Sequence, residues 1–373
     1  MLTITILYNH DFADASADLA SEDDDPPEPS LVDDIARADV ANVASSIAEA
    51  LSLFPGLRIR TRPVQTIADI VRETREHRPS AVINLCESLK GDARFEVPVA
   101  WILERLKIPF TGSPAQTLRL CLDKAACTQA LQRAGVPVPR SVLCADLKTL
   151  PQDITFPCIV KPNREDGSIG IEPSSVVHDR RALIDKVDHV IKTYRQAALI
   201  QQFVGTREIN VGLLGAPSLD ALPLMEINFK GFPPGSPHIV SFASKWLADT
   251  LEYQNTFAEP AQLDPACARR VAQIARAAAR AVGMRDYGRV DLRLDDQGRA
   301  WVVDVNPNCD LAPDAGFARA ASRAHIAYHD LCWLLLQIAL TRKPTPSLLG
   351  PGPGNIALHR ARWSTPADAA QLP

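Results

Sequence analysis

The sequence lacks several features that would assign it to a specialised class. Its eight cysteines include no C-x-x-C pair and follow no secretory signal, so we expect reduced thiols in a cytoplasmic protein and no zinc site. No apolar run approaches the roughly 20 residues that cross a bilayer, so no membrane partner is expected. The net charge of -4 gives no reason to expect a nucleic-acid partner.

What the sequence does contain is enough apolar material for a large interior. With 46% hydrophobic and 23% charged residues over 373 positions, it suits two or three folded domains better than a disordered chain. An acidic, proline-bearing stretch at 10–34 is interpreted as a solvated, mobile loop, with a substrate lid as the alternative. The composition of 343–373 is typical of an extended or mobile extension.

The first hundred residues have the pattern of an α/β domain. Apolar runs predict strands over 2–9, 57–64 and 80–86, and helical spacing of apolar residues predicts a helix over 35–54. This alternation favours a parallel sheet with covering helices. Ligands of such sheets lie at the carboxyl ends of strands, which makes Glu87 a candidate substrate residue, with helix capping as an alternative of at least equal weight.

The middle of the chain predicts a second, different sheet. A helix containing Asp123 and Lys124 is predicted first, and a strand over 156–163 then carries Lys161 to the loop 164–170. Backbone N–H groups of such a glycine-bearing loop can bind phosphate, although a solvated lysine is the commoner outcome. Further segments complete this part: strands over 171–178, 197–204, 207–215 and 222–229, a long loop over 230–246, and a helix over 265–284.

Two carboxylates near the end of this region suggest a metal site. A turn at 295–298 would make a hairpin that opposes Arg289 to Asp304 and leaves Asp291 and Asp304 as diagonal neighbours. Side-chain alternation then places five residues on one face, namely Arg289, Asp291, Val302, Asp304 and Asn306, and directs Val290, Leu292, Val303 and Val305 into the core. Two carboxylates and an amide oxygen suit magnesium. A cross-strand Arg289–Asp304 ion pair is the alternative, and it leaves Asp291 and Asn306 unexplained.

The chain resembles the ATP-grasp ligases, and the D-alanine–D-alanine ligases most closely. Five stretches carry the resemblance in family order, at 108–139, 156–170, 198–215, 243–246 and 287–308. It implies an α/β N-terminal domain (1–118), a small α+β lobe (119–205), a large α+β lobe with the metal site (206–342) and an extension (343–373). It also implies ATP and two Mg²⁺ ions, with Mn²⁺ as a substitute, and a homodimer, since similar ligases are often dimers.

The resemblance also implies the roles of individual residues. Lys124 and Lys161 would contact ATP phosphates under the loop that contains Gly167 and Ser168, and Glu208 would hold the ribose. Asp291, Asp304 and Asn306 would bind the metal ions, while Lys245 approaches the phosphates and Arg289 the reacting carbonyl. The adenine hinge would be Gln201, Gln202, Phe203 and Val204. Gln201 stands where an acidic residue is usual, and its amide can be oriented either way.

The substrate side departs from the family. Gly167 and Ala315 replace serines, Trp246 replaces a tyrosine and Asp310 replaces a glycine, so Trp246 and Asp310 become candidate substrate residues, with helix capping as the alternative for Asp310. We therefore expect a carboxylate–amine ligase that proceeds through an acyl phosphate and takes a different amino acid or a peptide. The alternatives are an authentic D-alanine–D-alanine ligase with a divergent site, a carboxylate kinase and a non-catalytic ATP-binding module.

Overall fold

A computed structural model of the protein describes residues 1–10 and 31–341. Contacts divide the described residues into two units, one built from Met1–Thr111 and the described residues from Cys332 onward, the other from Gly112–Leu331. The predicted domain bounds stay a prediction. Most of the predicted acidic loop and the whole predicted extension lie outside the described residues. None of the described helices is long and apolar enough to span a membrane.

The first unit contains the predicted parallel sheet. Its strands are β1 (Leu2–Asn9), β2 (Leu57–Val64) and β3 (Ala81–Asn84), in the order β2-β1-β3 with both neighbours parallel to β1. The connecting helices are α1 (Leu31–Ser52), α2 (Ile67–His77) and α3 (Glu96–Arg105), and most of α11 (Tyr328–Thr341) belongs to this unit. The apolar runs of β1 and β3 are buried, as strands covered by helices require.

The second unit begins with two helices, α4 (Ala115–Leu122) and α5 (Lys124–Arg133), where one helix was predicted. That prediction is wrong because Asp123 leaves the helical conformation and caps α5, its Oδ1 accepting from Ala126 N at 3.0 Å. Lys124 therefore stands at the first position of α5 rather than inside a longer helix.

A small antiparallel sheet follows, in the order β4-β7-β5-β6. One face packs on α6, and the core between them includes Val160, Leu183 and Ile200. Because side chains alternate along a strand, Ile159, Lys161 and Gln201 point to the opposite, uncovered face. The elements are β4 (Ser141–Cys144), β5 (Cys158–Pro162), β6 (Val176–Val177), α6 (Arg180–Tyr194) and β7 (Ala198–Gln202). The predicted strand over 171–178 is reduced to the two residues of β6.

A larger antiparallel sheet has the order β11-β10-β8-β12-β13, with β9 beside β8. Its core face packs on α9, whose Val271 and Ala275 meet Val211 and Val290 of the sheet. Short helices α7 and α8 lie between β10 and β11. The elements are β8 (Arg207–Gly215), β9 (Asp220–Ala221), β10 (Met225–Asn228), α7 (Phe242–Trp246), α8 (Leu251–Gln254), β11 (Phe257–Pro260), α9 (Pro265–Val282), β12 (Asp286–Leu294), β13 (Ala300–Asn306) and α10 (Gly316–Arg323).

Candidate active site

The uncovered faces of the two sheets line one pocket with a volume of about 330 Å³. The structure brings most of the predicted site residues together in its walls. Those residues are Lys124, Lys161, Gly167, Ser168, Gln201, Gln202, Phe203, Val204, Glu208, Lys245, Arg289, Asp291, Asp304 and Asn306. Strand alternation turns the strand residues among them, such as Lys161, Gln201 and Arg289, away from the buried face of each sheet, while α5, α7 and the loop 164–170 supply Lys124, Lys245, Gly167 and Ser168.

The hairpin formed by β12 and β13 differs in register from the prediction. Asp291 lies directly opposite Asp304, and Arg289 opposite Asn306, so the predicted pairing of Arg289 with Asp304 is wrong. The turn is one residue longer than predicted, because Leu294 pairs with Ala300 instead of Arg299, and Gly298 within it adopts the left-handed region at φ 70°. An irregularity between Asp291 and Leu292 shifts the register again.

The shifted register exchanges two neighbouring valines of β13. Val302 lies opposite Leu292 in the core, and Val303 lines the pocket, which reverses the predicted placement of both. The longer turn explains the exchange, because a shift of one residue turns every side chain of β13 to the other face. The bulge at Val303 then adds one more residue and returns Asp304 and Asn306 to the pocket face. The predicted grouping of Arg289, Asp291, Asp304 and Asn306 on one face is nevertheless what the structure shows.

Asp291 is held by side-chain donors on every side. Arg289 makes a bidentate pair with it, Nε to Oδ1 at 2.7 Å and Nη2 to Oδ2 at 3.0 Å. Asn210 Nδ2 donates to Oδ1 at 2.9 Å, and Asn306 Nδ2 donates to Oδ2 at 3.0 Å. The carboxylate therefore fixes the guanidinium of Arg289 through Nε and Nη2, without using Nη1, and it turns the amide oxygen of Asn306 away from itself.

Asp304 has a different environment, made of positive charges. Lys124 Nζ lies 3.7 Å from Asp304 Oδ1 and 2.9 Å from Asp166 Oδ1. Burial alone would raise the pKa of Asp304, but Lys124, Lys161 and neighbouring cations hold that pKa below its usual value. Burial lowers the pKa of Lys161, whose Nζ donates to Val303 O at 3.4 Å. The result is a concentration of positive charge that suits an anionic ligand such as a phosphate group.

The available oxygens fit a magnesium ion that also binds a ligand's phosphates. Asp304 offers a carboxylate and Asn306 an amide oxygen, whereas the oxygens of Asp291 already accept four hydrogen bonds. Among the described residues, no group of three His, Cys, Asp or Glu side chains forms a self-sufficient metal cage. Magnesium commonly binds through one or two carboxylates, water and phosphate, which matches this donor set.

Glu208 and Arg293 form a buried pair that the sequence reasoning did not identify as a pair. Arg293 Nη1 donates to Glu208 Oε2 at 3.1 Å, and its other nitrogens donate to the carbonyl oxygens of Val204 and Gly205 at 2.8 and 2.9 Å. Burial raises the pKa of Glu208. Arg293 continues the period-two pattern of Arg289 and Asp291 along β12, and that pattern was the signal available in the sequence.

We expect Arg293→Met to lower the free energy of unfolding by about 3 kcal/mol or more, because it leaves the buried carboxylate of Glu208 without its partner. Urea denaturation measures the change. Arg207→Met is the matched control, since Arg207 pairs with Glu226 on the same sheet but is 41% exposed, and it should cost about 1 kcal/mol or less. Equal losses of unfolding free energy in both variants would contradict the assignment of Arg293 as the residue that stabilises the buried carboxylate of Glu208.

Two segments of the pocket wall, 165–171 and 239–246, contact each other. Trp246 Nε1 donates to Gly167 O at 2.9 Å, Ser168 Oγ donates to Val240 O at 2.9 Å, and Phe242 N donates to Ile171 O at 2.8 Å. The predicted loop over 230–246 is wrong in its last five residues, which form α7 because Ser241 and Ser244 make a capping box. Trp246 is not among the lining residues, and its indole joins the two segments instead.

The comparisons with known proteins agree with this geometry. The family model described as D-ala D-ala ligase C-terminus matches residues 130–337, which is more than half of the chain. The chain belongs to this family. An uncharacterized protein of Sinorhizobium fredii is 32% identical over 270 residues, covering 72% of this chain and 77% of that protein. A D-alanine–D-alanine ligase of Hydrogenovibrio crunogenus is 29% identical over 245 residues, covering 64% and 72%.

The fold likewise agrees with the family. The crystal structure of a D-alanine–D-alanine ligase from Bacillus anthracis complexed with ATP superposes with a TM-score of 0.69 at 19% identity, covering 91% of this chain and 97% of that one. The predicted fold class, an α/β N-terminal part followed by a two-lobed ATP-grasp fold, is therefore confirmed.

Within this ATP-grasp fold, the end of the pocket beyond Arg289 contains residues that the sequence reasoning missed. Asp314, Gly316 and Arg319 line it, at and near the start of α10. Along β8 and β12 the paired positions run from Glu208–Arg293 through Asn210–Asp291 to Gly212–Arg289, and Phe317 packs against Gly212. The helix α10 therefore lies at the end of the pocket opposite Gln201 to Val204. Arg319 has no ion pair with a described residue.

The remaining two candidate substrate residues, Asp310 and Glu87, do not line the pocket, and Glu87 belongs to the first unit. Asp310 is exposed, and its Oδ1 accepts from Ala312 N at 2.7 Å, a local turn rather than a helix cap. Glu87 is exposed after β3, where its N–H donates to Asn9 Oδ1 at 3.2 Å. Asn9 and the segment 84–88 thus meet at the carboxyl ends of β1 and β3, as expected for a parallel sheet.

Proposed function

We propose that the protein is an ATP-dependent carboxylate–amine ligase that forms an amide bond through an acyl phosphate, with substrates other than two D-alanines. The observation that carries this proposal is the pocket wall in which Asp304 lies among buried lysines while Asp291 holds Arg289 in a bidentate pair. Positive charge for phosphates and a fixed donor for a carbonyl oxygen are the two requirements of this chemistry.

The nucleotide would lie along the pocket from the hinge to the lysines. Gln201 to Val204 would contact the base, Glu208 would accept from the ribose hydroxyls, and Lys124 and Lys161 would contact the phosphates. Lys124 is paired with Asp166 in the structure, so a phosphate would have to replace that carboxylate as its partner. The Bacillus anthracis D-alanine–D-alanine ligase, whose crystal structure is described as a complex with ATP, supports this arrangement.

Magnesium would be held by Asp304 and Asn306, with Asp291 joining them if Arg289 releases part of its hold. When bound, Mg²⁺ neutralises phosphate oxygens and stabilises the charge that develops during phosphoryl transfer. The chain's own contribution is the fixed orientation of these oxygens on adjacent strands. We propose two ions, as the resemblance implies.

The second half of the reaction would depend on Arg289 and on water exclusion. The Nη1 atom of Arg289 is the guanidinium nitrogen that does not bond to Asp291, and it can donate to the oxyanion formed when an amine attacks the acyl phosphate. Lys245 lies on α7, and burial lowers its pKa. The contact of Trp246 with Gly167 would keep water from the acyl phosphate, which hydrolyses readily.

The substrate side supports an acceptor other than D-alanine. The positions at which this chain departs from the family, Gly167, Trp246, Asp310 and Ala315, are on the substrate side, and these departures carry this part of the proposal. Arg319 and Asp314 line the end of the pocket beyond Arg289 and can bind the carboxylate and ammonium groups that any amino acid or dipeptide carries. An authentic D-alanine–D-alanine ligase is the second candidate, because several relatives, including that of Hydrogenovibrio crunogenus, have that name.

A phosphate-release screen over pairs of amino acids and dipeptides, D-alanine included, tests the proposal. We expect phosphate release that requires both a carboxylate donor and an amine acceptor, with a pair other than two D-alanines most active. Hydroxylamine added with the donor alone should yield a hydroxamate, which reports the acyl phosphate. Hydroxamate formation with no amine-dependent product would indicate a carboxylate kinase. ATP binding with no turnover in any pair would indicate a non-catalytic module.

A further inference from the structure

A polar side chain at the base end of the pocket is oriented by a residue outside the pocket lining. Gln201 lies directly opposite Ser141 in the pairing of β7 with β4, so their side chains share the uncovered face of the small sheet. Gln201 Nε2 lies 3.2 Å from Ser141 Oγ. Because Gln201 is only 3% exposed, each end of its amide needs a suitable partner.

The hydroxyl of Ser141 allows one orientation of that amide. A hydroxyl has a single proton, and Ser141 donates it to Pro139 O at 3.0 Å. Toward Gln201 the hydroxyl can then only accept a hydrogen bond, which the NH₂ group provides and the carbonyl group does not. Turning the amide over would set two oxygens against each other and leave a buried hydrogen bond unmade. The carbonyl oxygen Oε1 is therefore the end that faces the pocket.

The neighbouring polar groups of the hinge backbone are already used. The N–H groups of Gln202 and Phe203 donate to the carbonyl oxygens of Arg140 and Pro157 at 2.8 and 3.0 Å. The carbonyl oxygens of Val204 and Gly205 accept from Arg293. Among the described residues, none donates to Gln201 Oε1, so this oxygen is an acceptor for a ligand.

We infer that Ser141 is a positioning residue that fixes Gln201 as a hydrogen-bond acceptor and thereby selects a purine with an amino group at position 6. The inference rests on the proposed function, which places the nucleotide base beside Gln201. Adenine presents an N6 amino donor there, whereas guanine presents the O6 acceptor, which would face Oε1 unfavourably. Selectivity is thus determined by a hydroxyl that does not touch the base.

Titration of the full-length chain with ATP and with GTP, followed by calorimetry, tests this inference. We expect the wild type to prefer ATP and Ser141→Ala to reduce the ratio of the GTP and ATP Kd values about tenfold, because the freed amide can turn its NH₂ to O6. In the double variant Ser141→Ala with Gln201→Glu the preference for ATP should return, since a carboxylate is an acceptor in every orientation.

The outcomes separate this inference from the proposed function. A Ser141→Ala variant that keeps the wild-type ratio, or that loses affinity for both nucleotides equally, overturns the positioning role. A double variant that fails to recover the ATP preference overturns it as well. A wild-type chain that binds ATP but forms no amide leaves this result intact and contradicts only the ligase proposal, whereas a wild-type chain that binds neither nucleotide contradicts both.

Discussion

Asp304→Asn should reduce amine-dependent ADP formation at least about a hundredfold at fixed Mg²⁺. Even residues that only orient metal ligands typically cost about 10- to 100-fold when replaced, so loss of the ligand itself should cost no less. The asparagine keeps the shape of the side chain but removes the charge that lies 3.7 Å from Lys124 Nζ. Initial rates measured as a function of Mg²⁺ concentration should reach half of their maximum at a higher Mg²⁺ concentration than in the wild type.

Asp296→Asn is the matched control for this change. Asp296 is exposed in the turn of the same hairpin, so the identical substitution there alters the net charge by the same amount without entering the pocket. Its rate and Mg²⁺ dependence should stay within about twofold of the wild type, as is usual for surface changes of less than 0.5 kcal/mol. If Asp304→Asn also kept the wild-type Mg²⁺ dependence, Asp304 would not be a metal ligand.

Arg289→Lys should lower kcat about 10²- to 10³-fold with little change in the KM for ATP. Removing one positioned donor from an oxyanion site has effects of this size. Lysine keeps the charge, but it cannot reproduce the bidentate pair with Asp291 or present a second nitrogen at a fixed place. Asn210 and Asn306 still donate to Asp291, so the variant should fold.

This prediction is tested by measuring kcat and the KM for ATP separately and by following the two chemical steps one at a time. The exposed Arg299 on the same hairpin gives the control Arg299→Lys, which should leave kcat near the wild-type value. Donor-dependent ADP formation in a single turnover without an amine, which reports formation of the acyl phosphate, should survive in Arg289→Lys better than amide formation, because the oxyanion belongs to the second step. A variant in which both steps fall equally would show that Arg289 acts before the amine attacks.

The fold was predictable because its elements have strong local patterns. The strand over 207–215 is observed with the predicted bounds as β8, since buried Ile209, Val211 and Leu213 alternate with residues facing the pocket. The parallel arrangement of β1 and β3 followed from strands separated by a helix-bearing crossover. These signals depend on residues close together in the chain.

The register of the hairpin was not predictable to the same degree. A turn that is one residue longer than predicted leaves no clear sequence signal, yet it exchanges Val302 and Val303 between the core and the pocket. The bulge opposite Asp291 and Leu292 was equally unmarked in the sequence. The grouping of Asp291 with Asp304 survived the error because the extra residue of the bulge, Val303, returns Asp304 to the pocket face and places it directly opposite Asp291. The face was therefore predicted correctly from a partly wrong pairing.

Roles that depend on distant contacts were beyond a single sequence. Arg293 has Val204, Gly205 and Glu208 as partners, which lie more than eighty positions away, and Ser141 meets Gln201 across 60 positions. No spacing rule connects such pairs before the strands are in register. The orientation of the Gln201 amide, left open by the sequence, follows only from the hydroxyl of Ser141 and its bond to Pro139.

The central claim is that the β12–β13 hairpin binds a divalent ion beneath a triphosphate. A crystal structure of the protein with Mn²⁺ and a non-hydrolysable ATP analogue tests it most directly, because manganese is located by its anomalous signal. We predict an anomalous peak bound by Asp304 and Asn306, with the triphosphate between that ion and Lys124 and Lys161. A peak or a triphosphate away from these side chains would contradict the account.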